Sequence, residues 1–88
     1  MDRSKVEAFL ADLQSKVKEL KLTLDAQAEL QAEVATVRSQ LGSPKPKGTI
    51  IKEGLRSVKR ILEGAAGSAA APLLAKLAAL IATAAAMH

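Results

Sequence analysis

From Ser4 to Leu41 the chain contains neither glycine nor proline, and the next seven residues, Gly42-Ser43-Pro44-Lys45-Pro46-Lys47-Gly48, contain four of them. This contrast limits the fold more than any other feature. Proline fixes φ and lacks an amide donor, so two at alternate positions hold the backbone extended and out of a helix. Gly42 stands where a helix C-terminal cap belongs. Residues 42–48 are therefore read as a linker between helical segments. A Pro-x-Pro stretch also fits an aromatic groove on a partner, but a spacer is the simpler reading.

Ahead of the linker, residues 4–41 are rich in strong helix formers. Val6, Leu10, Leu13, Val17, Leu20 and Leu24 alternate steps of four and three, which is the a/d spacing of a coiled coil. Continued, that frame reaches Gln27, Gln31, Val34, Arg38 and Leu41, while Leu30 and Val37 take over one position earlier. The apolar stripe thus slides sideways after Leu24, as it does where a supercoil loosens or a partner changes. Gln27 on this continued seam is suited to setting register. A single helix of about 38 residues would run about 57 Å, too long for the remaining half of the chain to cover. The expectation is a long coiled-coil helix over 4–41 that pairs with a second copy. The alternative is that its seam packs on this chain's own C-terminal helices.

Behind the linker, Thr49 is a candidate N-cap for "IIKEGLRSVKRILEG". On a helical wheel Ile50, Ile51, Leu55, Val58, Ile61 and Leu62 share one face, and Lys52, Glu53, Arg56, Lys59, Arg60 and Glu63 the other. Residues 49–63 therefore form a basic amphipathic helix. Such a helix suits an anionic membrane surface, an acidic partner or plain solvent. Gly54 lies on the apolar face, where a missing side chain admits another helix closely. Residues 64–88 form an Ala/Leu-rich apolar helix with Pro72 in its first turn. Leu73, Leu77, Leu80 and Met87 line one side with Leu74 and Ile81 beside them, and Ala75, Ala78, Ala79, Ala82 and Ala86 line the other. A helix apolar all round is buried in protein or in lipid. Its length permits a span, yet one central lysine costs about 2.5–3.5 kcal/mol and each Leu or Ile returns only about 0.3–0.6 kcal/mol. Leu73, Leu74, Leu77, Leu80 and Ile81 thus roughly cancel Lys76, and burial between protein subunits is preferred. Lys76, at the edge of the leucine stripe, can extend its amine to water or to headgroups.

The formal charge of +4 is uneven: residues 1–44 carry six basic and seven acidic groups, residues 45–63 six and two, and residues 64–88 only Lys76. There is no cysteine, so disulfides and thiolate metal sites are excluded and the redox compartment is left open. His88, the one histidine and the last residue, reads as a frayed end or the stub of a tag. No metal site, cofactor site or catalytic residue emerges: there is no nucleophile beside a base, and Gly64-Ala65-Ala66-Gly67 lacks the strand and spacing of a phosphate-cradling loop. Phe9 is the only aromatic side chain, which removes base-stacking platforms. Lys52, Arg56, Lys59 and Arg60, as a basic surface, would give nucleic acid only salt-sensitive, nonspecific binding, so nucleic acid is not the expected partner. Met1 opens a charged amphipathic stretch instead of a signal peptide, and the expected location is cytoplasmic, with membrane association as the variant.

Residues 43–74, "SPKPKGTIIKEGLRSVKRILEGAAGSAAAPLL", resemble a recurring C-terminal segment of small bacterial proteins: a Pro-Lys spacer, an amphipathic helix ending in EGAAG, and a small-residue apolar tail. Some of these accompany phage-defence or abortive-infection proteins. The resemblance implies a bacterial source and carries no activity with it. Gly54 and the alanine-rich tail depart from the pattern.

The sequence thus predicts an all-α, non-enzymatic scaffold that assembles with itself, or with another protein, as a helical oligomer. One interface would be Val6, Leu10, Leu13, Val17, Leu20 and Leu24, and the other Ile51, Leu55, Val58, Leu62, Leu77 and Leu80. The rival is a membrane effector whose basic helix lands on anionic lipid while its apolar tail inserts as an oligomer.

Overall fold

The linker ends one helix and begins the next, as its prolines require. In the computed structural model, which describes residues 3–85 and their side chains as far as residue 82, the elements are α1 (Arg3–Ser15), a 3₁₀ turn (Val17–Leu20), α2 (Leu24–Leu41), α3 (Gly48–Glu63) and α4 (Ala70–Ala85). Among the described residues the regular structure is all helical. Gly42 caps α2, its N–H donating to the Arg38 carbonyl and the next N–H, of Ser43, to that of Gln40. The α3 helix starts one residue before the expected position: Lys47 occupies the cap without a side-chain hydrogen bond, and Thr49 lies inside the first turn. Pro72 falls in the first turn of α4. Met87, Ala86 and His88 lie outside the described residues.

The expected single helix over 4–41 is two helices joined by a corner. After Ser15 the backbone tightens, Lys16 N–H donating to the Leu13 carbonyl and Glu19 N–H to that of Lys16, both at 3.0 Å. Lys21 then takes the left-handed conformation (φ 53°, ψ 43°). Thr23 restarts the helix as N-cap, its Oγ1 accepting from Ala26 N–H at 3.1 Å. A left-handed lysine costs about 1–2 kcal/mol, whereas burying Val17 and Leu20 contributes about 1.5–3 kcal/mol each. The corner wins because both side chains become buried in the core. The longest dimension of the fold is 34 Å, well short of a straight helix through Leu41.

The helices pack as neighbours: α2 along α3, α3 along α4, and α1 against α4, with α2 at its other side. Asp12 meets Lys76 and Leu20 meets Gly67, so α1 and α4 run antiparallel. Val37 meets Gly54 while Ala26 and Glu29 share a groove with Ile61, so α2 and α3 do too. Seventeen apolar residues make one core, to which α1 gives Val6, Phe9, Leu10 and Leu13, α2 gives Leu30, Val34, Val37 and Leu41, α3 gives Ile51, Leu55, Val58 and Leu62, and α4 gives Ala70, Leu73 and Leu77, with Val17 and Leu20 from the turn. No polar or charged side chain is buried among the described residues. The apolar stripe therefore slides after Leu24 because the chain turns there, and α2 buries a new set of positions.

Two glycines are demanded by close approach. At Gly54 a Cβ would come within 2.6 Å of Val37 Cγ2, so α2 and α3 touch where a side chain is missing. Gly67 lies still closer: its N–H donates to the Leu20 carbonyl at 3.3 Å, and a Cβ there would fall on the Glu19 carbonyl oxygen. Backbone cannot move aside as a side-chain tip can. Gly67→Ala should therefore cost at least about 2 kcal/mol, the middle of the range for overpacking, and lower the melting temperature by about 8–16 °C at this chain size. Thermal unfolding by circular dichroism is the check, and an unchanged melt would mean that the α3–α4 connection is not held against the corner.

Candidate interaction surfaces

Burial sorts the expected interface residues into two groups. Val6, Leu10, Leu13, Val17, Leu20, Ile51, Leu55, Val58, Leu62 and Leu77, ten of the twelve, lie in the core of a single chain. They are unavailable to a second copy unless the bundle opens. The heptad seam and the apolar side of α3 are packed within the chain. Leu24 is the exception, 85 % exposed at the first position of α2. Leu80 is half-buried, at the rim of a groove between α1 and α4.

Leu24 heads a row along the outside of α2. At about 100° per residue, Leu24, Ala28, Gln31 and Ala35 follow one another on one side of the helix, and all four are exposed. The row carries no charge. Gln31 ties it to α1 through a reciprocal amide pair with Gln14, Gln14 Nε2 donating to Gln31 Oε1 at 2.8 Å and Gln31 Nε2 to Gln14 Oε1 at 2.9 Å. Leu24 is thus a projecting leucine on the α1–α2 side of the bundle.

On the other side, α3 shows its cations. Arg56, Lys59 and Arg60 are exposed and Lys52 is half-buried. None of the four is in an ion pair among the described residues. Arg60 leans toward α2, bordering with Lys21 and Glu29 a groove of about 430 Å³ floored by Leu22, Ala26 and Ile61. The groove between α1 and α4, about 380 Å³, is lined by Ala8, Phe9, Ala79 and Leu80, with Lys5, Asp12 and Lys76 as its charged lining. Neither brings together the groups that catalysis needs. Among the described residues no three His, Cys, Asp or Glu side chains approach closely enough to hold a metal.

No helix among the described residues is long and apolar enough to cross a membrane. Among the described residues α4 has 16, about 24 Å of rise against a hydrocarbon core of about 30 Å, and Leu73 and Leu77 belong to the protein core. The length argument for a spanning tail therefore finds no support among the described residues.

A charge cluster that the sequence did not announce joins α1 to α4. Asp12 accepts from Lys76 Nζ at 2.8 Å across the helix pair and pairs with Lys16 at 3.1 Å one turn along α1. The hydrogen bond from Lys76, and then that from Lys16, holds the Asp12 carboxyl below its ordinary value of 3.8. A lowered carboxyl pKa stabilises the fold above the unfolded value, and that contribution is lost as pH falls through the folded one. The cluster is partly solvated, so the effect is small. Asp12→Asn should melt slightly below the parent at pH 7, and the difference should shrink as acid protonates Asp12 in the folded chain. A difference of the same size at neutral and at acid pH would assign the loss to packing.

Comparison with protein-family models, with curated proteins and with solved structures finds no match to this chain, so its function is read from these surfaces.

Proposed function

We propose that this protein is a non-enzymatic helical module that acts by associating with a second copy of itself through the α1–α2 side of the bundle. The observation that carries the reading is Leu24. An isolated exposed leucine is ordinary on a protein surface, but this one heads the uncharged row Leu24, Ala28, Gln31 and Ala35. Steps of four, three and four are the spacing with which two helices interlock. The same steps read identically in reverse, so a two-fold axis can set one row antiparallel on its copy, as an isologous interface requires. The small Ala28 and Ala35 let the backbones approach, and Gln31, its amide already engaged by Gln14, adds no unpaired polar group.

The association is modest in area and concentration-dependent. Covering Leu24 contributes about 1.5–3 kcal/mol per copy, a factor of about 10 to 150 in affinity. Light scattering behind size exclusion on the detergent-free chain should give twice the 9.2 kDa chain mass at high loading and fall toward it on dilution. Leu24→Asp, on an exposed side chain, should leave the melt unchanged and weaken the dimer at least about tenfold. A parent chain of 9.2 kDa at every loading removes the proposal.

A further inference from the structure

The apolar side of α3 lies in the core, so the basic helix cannot roll that side into a bilayer. What remains is its outer side, together with that of α4. Gly54, Arg60 and Ile61 mark the flank of α3 that faces α2. Stepping about 100° per residue, Lys52 and Lys59 fall on the opposite flank, toward α4, with Arg56 between the two. On α4, Lys76, Ala79 and Leu80 mark the flank that faces α1. Leu74, Ala78 and Ile81 therefore lie toward α3. Leu74 and Ile81 are half-buried, and Ala71, Ala75, Ala78 and Ala82 are exposed.

Across this side of the bundle the order is cations, apolar floor, cation. Arg56, Lys52 and Lys59 form one edge. Leu74 and Ile81 with the outward alanines form the floor. Lys76, its side chain 57 % exposed, forms the other edge. From residue 64 to residue 85 there is no carboxylate; Glu63 falls between Lys59 and Arg56 on the α3 wheel and Asp12 of α1 holds Lys76 Nζ at 2.8 Å, so the positive excess rests on Lys52, Arg56 and Lys59.

We propose that the α3–α4 side docks on an anionic lipid bilayer, the cations meeting headgroup charge and Leu74, Ile81 and the alanine methyls resting at the interface. Charge complementarity selects the occupant. A bilayer with acidic headgroups offers negative charge at its surface and apolar chains just beneath it, in the arrangement that this side mirrors. Nucleic acid would satisfy Arg56, Lys52 and Lys59 yet leave the apolar floor against phosphate and water. The docking is peripheral, since no helix among the described residues is long and apolar enough to cross a membrane. It does not depend on self-association, because Leu24 lies on the α1–α2 side.

The test is co-sedimentation of the full chain with phosphatidylcholine vesicles, with and without about one-third phosphatidylserine, at low salt and at about 0.15 M salt, where screening reaches within about 8 Å. Binding is expected to anionic vesicles and not to neutral ones, and to weaken with salt. Each cation near an anionic surface is worth about a fivefold factor in partitioning, so Arg56→Gln/Lys59→Gln should weaken binding about 25-fold. Ala78→Asp, placed on the floor, should weaken it as well, with Ala75→Asp as a second variant, each checked for an unchanged melt. Failure to sediment with anionic vesicles at low salt overturns the proposal, as does equal binding to neutral ones. Binding that both alanine variants leave intact, and that a short DNA duplex competes away at equal phosphate, would assign the cations to nucleic acid and overturn it too.

Discussion

The corner between Ser15 and Leu24 is the constraint on which the rest of the bundle depends. An 88-residue chain has little surface with which to cover a long apolar seam, and small domains are marginal for that reason. Turning the seam back on itself makes the chain its own partner. Val17 and Leu20 enter the core at the bend, and the Leu20 carbonyl receives Gly67, so the corner and the α3–α4 connection close on each other. With α1 thereby set along α4, Phe9, Leu10 and Leu13 find cover against Leu73 and Leu77, within one continuous core. A straightened corner would withdraw α1 and expose that side of α4. The left-handed Lys21 is the cost, and it is small beside what two buried side chains return.

The half of the chain after the linker was legible because its signals agree. Prolines bound α3 on one side and Gly64 on the other, and Ile51, Leu55, Val58 and Leu62 are spaced as only a helix with one buried side would space them. The same spacing over Val6–Leu24 misleads. A heptad row records that residues are buried and is silent about whether the partner is another chain or another part of this one. The corner had a trace in the sequence, since the stripe changes frame at Leu24, and Thr23 with Asp25 in the following turn is an N-terminal signature. With neither glycine nor proline at the bend, local propensity pointed the other way, and tertiary burial overrode it. Of the surfaces, the basic row on α3 follows from the same wheel. The Asp12–Lys76 pair joins residues 64 positions apart, and no local pattern reports such a distance.

Charge and apolar surface are segregated on the outside of this bundle. Every described core residue is apolar, so no charge is needed within. On α2 the charges are Asp25, Glu29, Glu33 and Arg38; on α3 they are Lys52, Glu53, Arg56, Lys59, Arg60 and Glu63. Adjacent helices of opposite net charge steady their packing at long range, while the absence of close ion pairs to α3 among the described residues leaves Arg56, Lys59 and Arg60 exposed to whatever anion approaches. Lys76 differs from them. Its bond to Asp12 fixes the one charge of α4 at the edge of the apolar strip, where an unanchored lysine could sweep across the strip.

The proposed self-association and the proposed bilayer docking, placed on opposite sides of four helices, do not compete for the same residues. Their coupling is a matter of geometry. A dimer through Leu24 whose two-fold axis crosses the α2 row at right angles, as antiparallel pairing requires, would carry its two α3–α4 sides outward and away from each other. Such an object cannot place both basic sides on one flat membrane, so it gains no avidity there, and it would instead hold two anionic surfaces about two bundle widths apart. If the dimer axis were tilted so that both sides faced one plane, a weak single contact would multiply into a strong one. The orientation of two short helices crossing at Ala28 and Ala35 therefore decides whether pairing ties copies to one membrane or joins two membranes together.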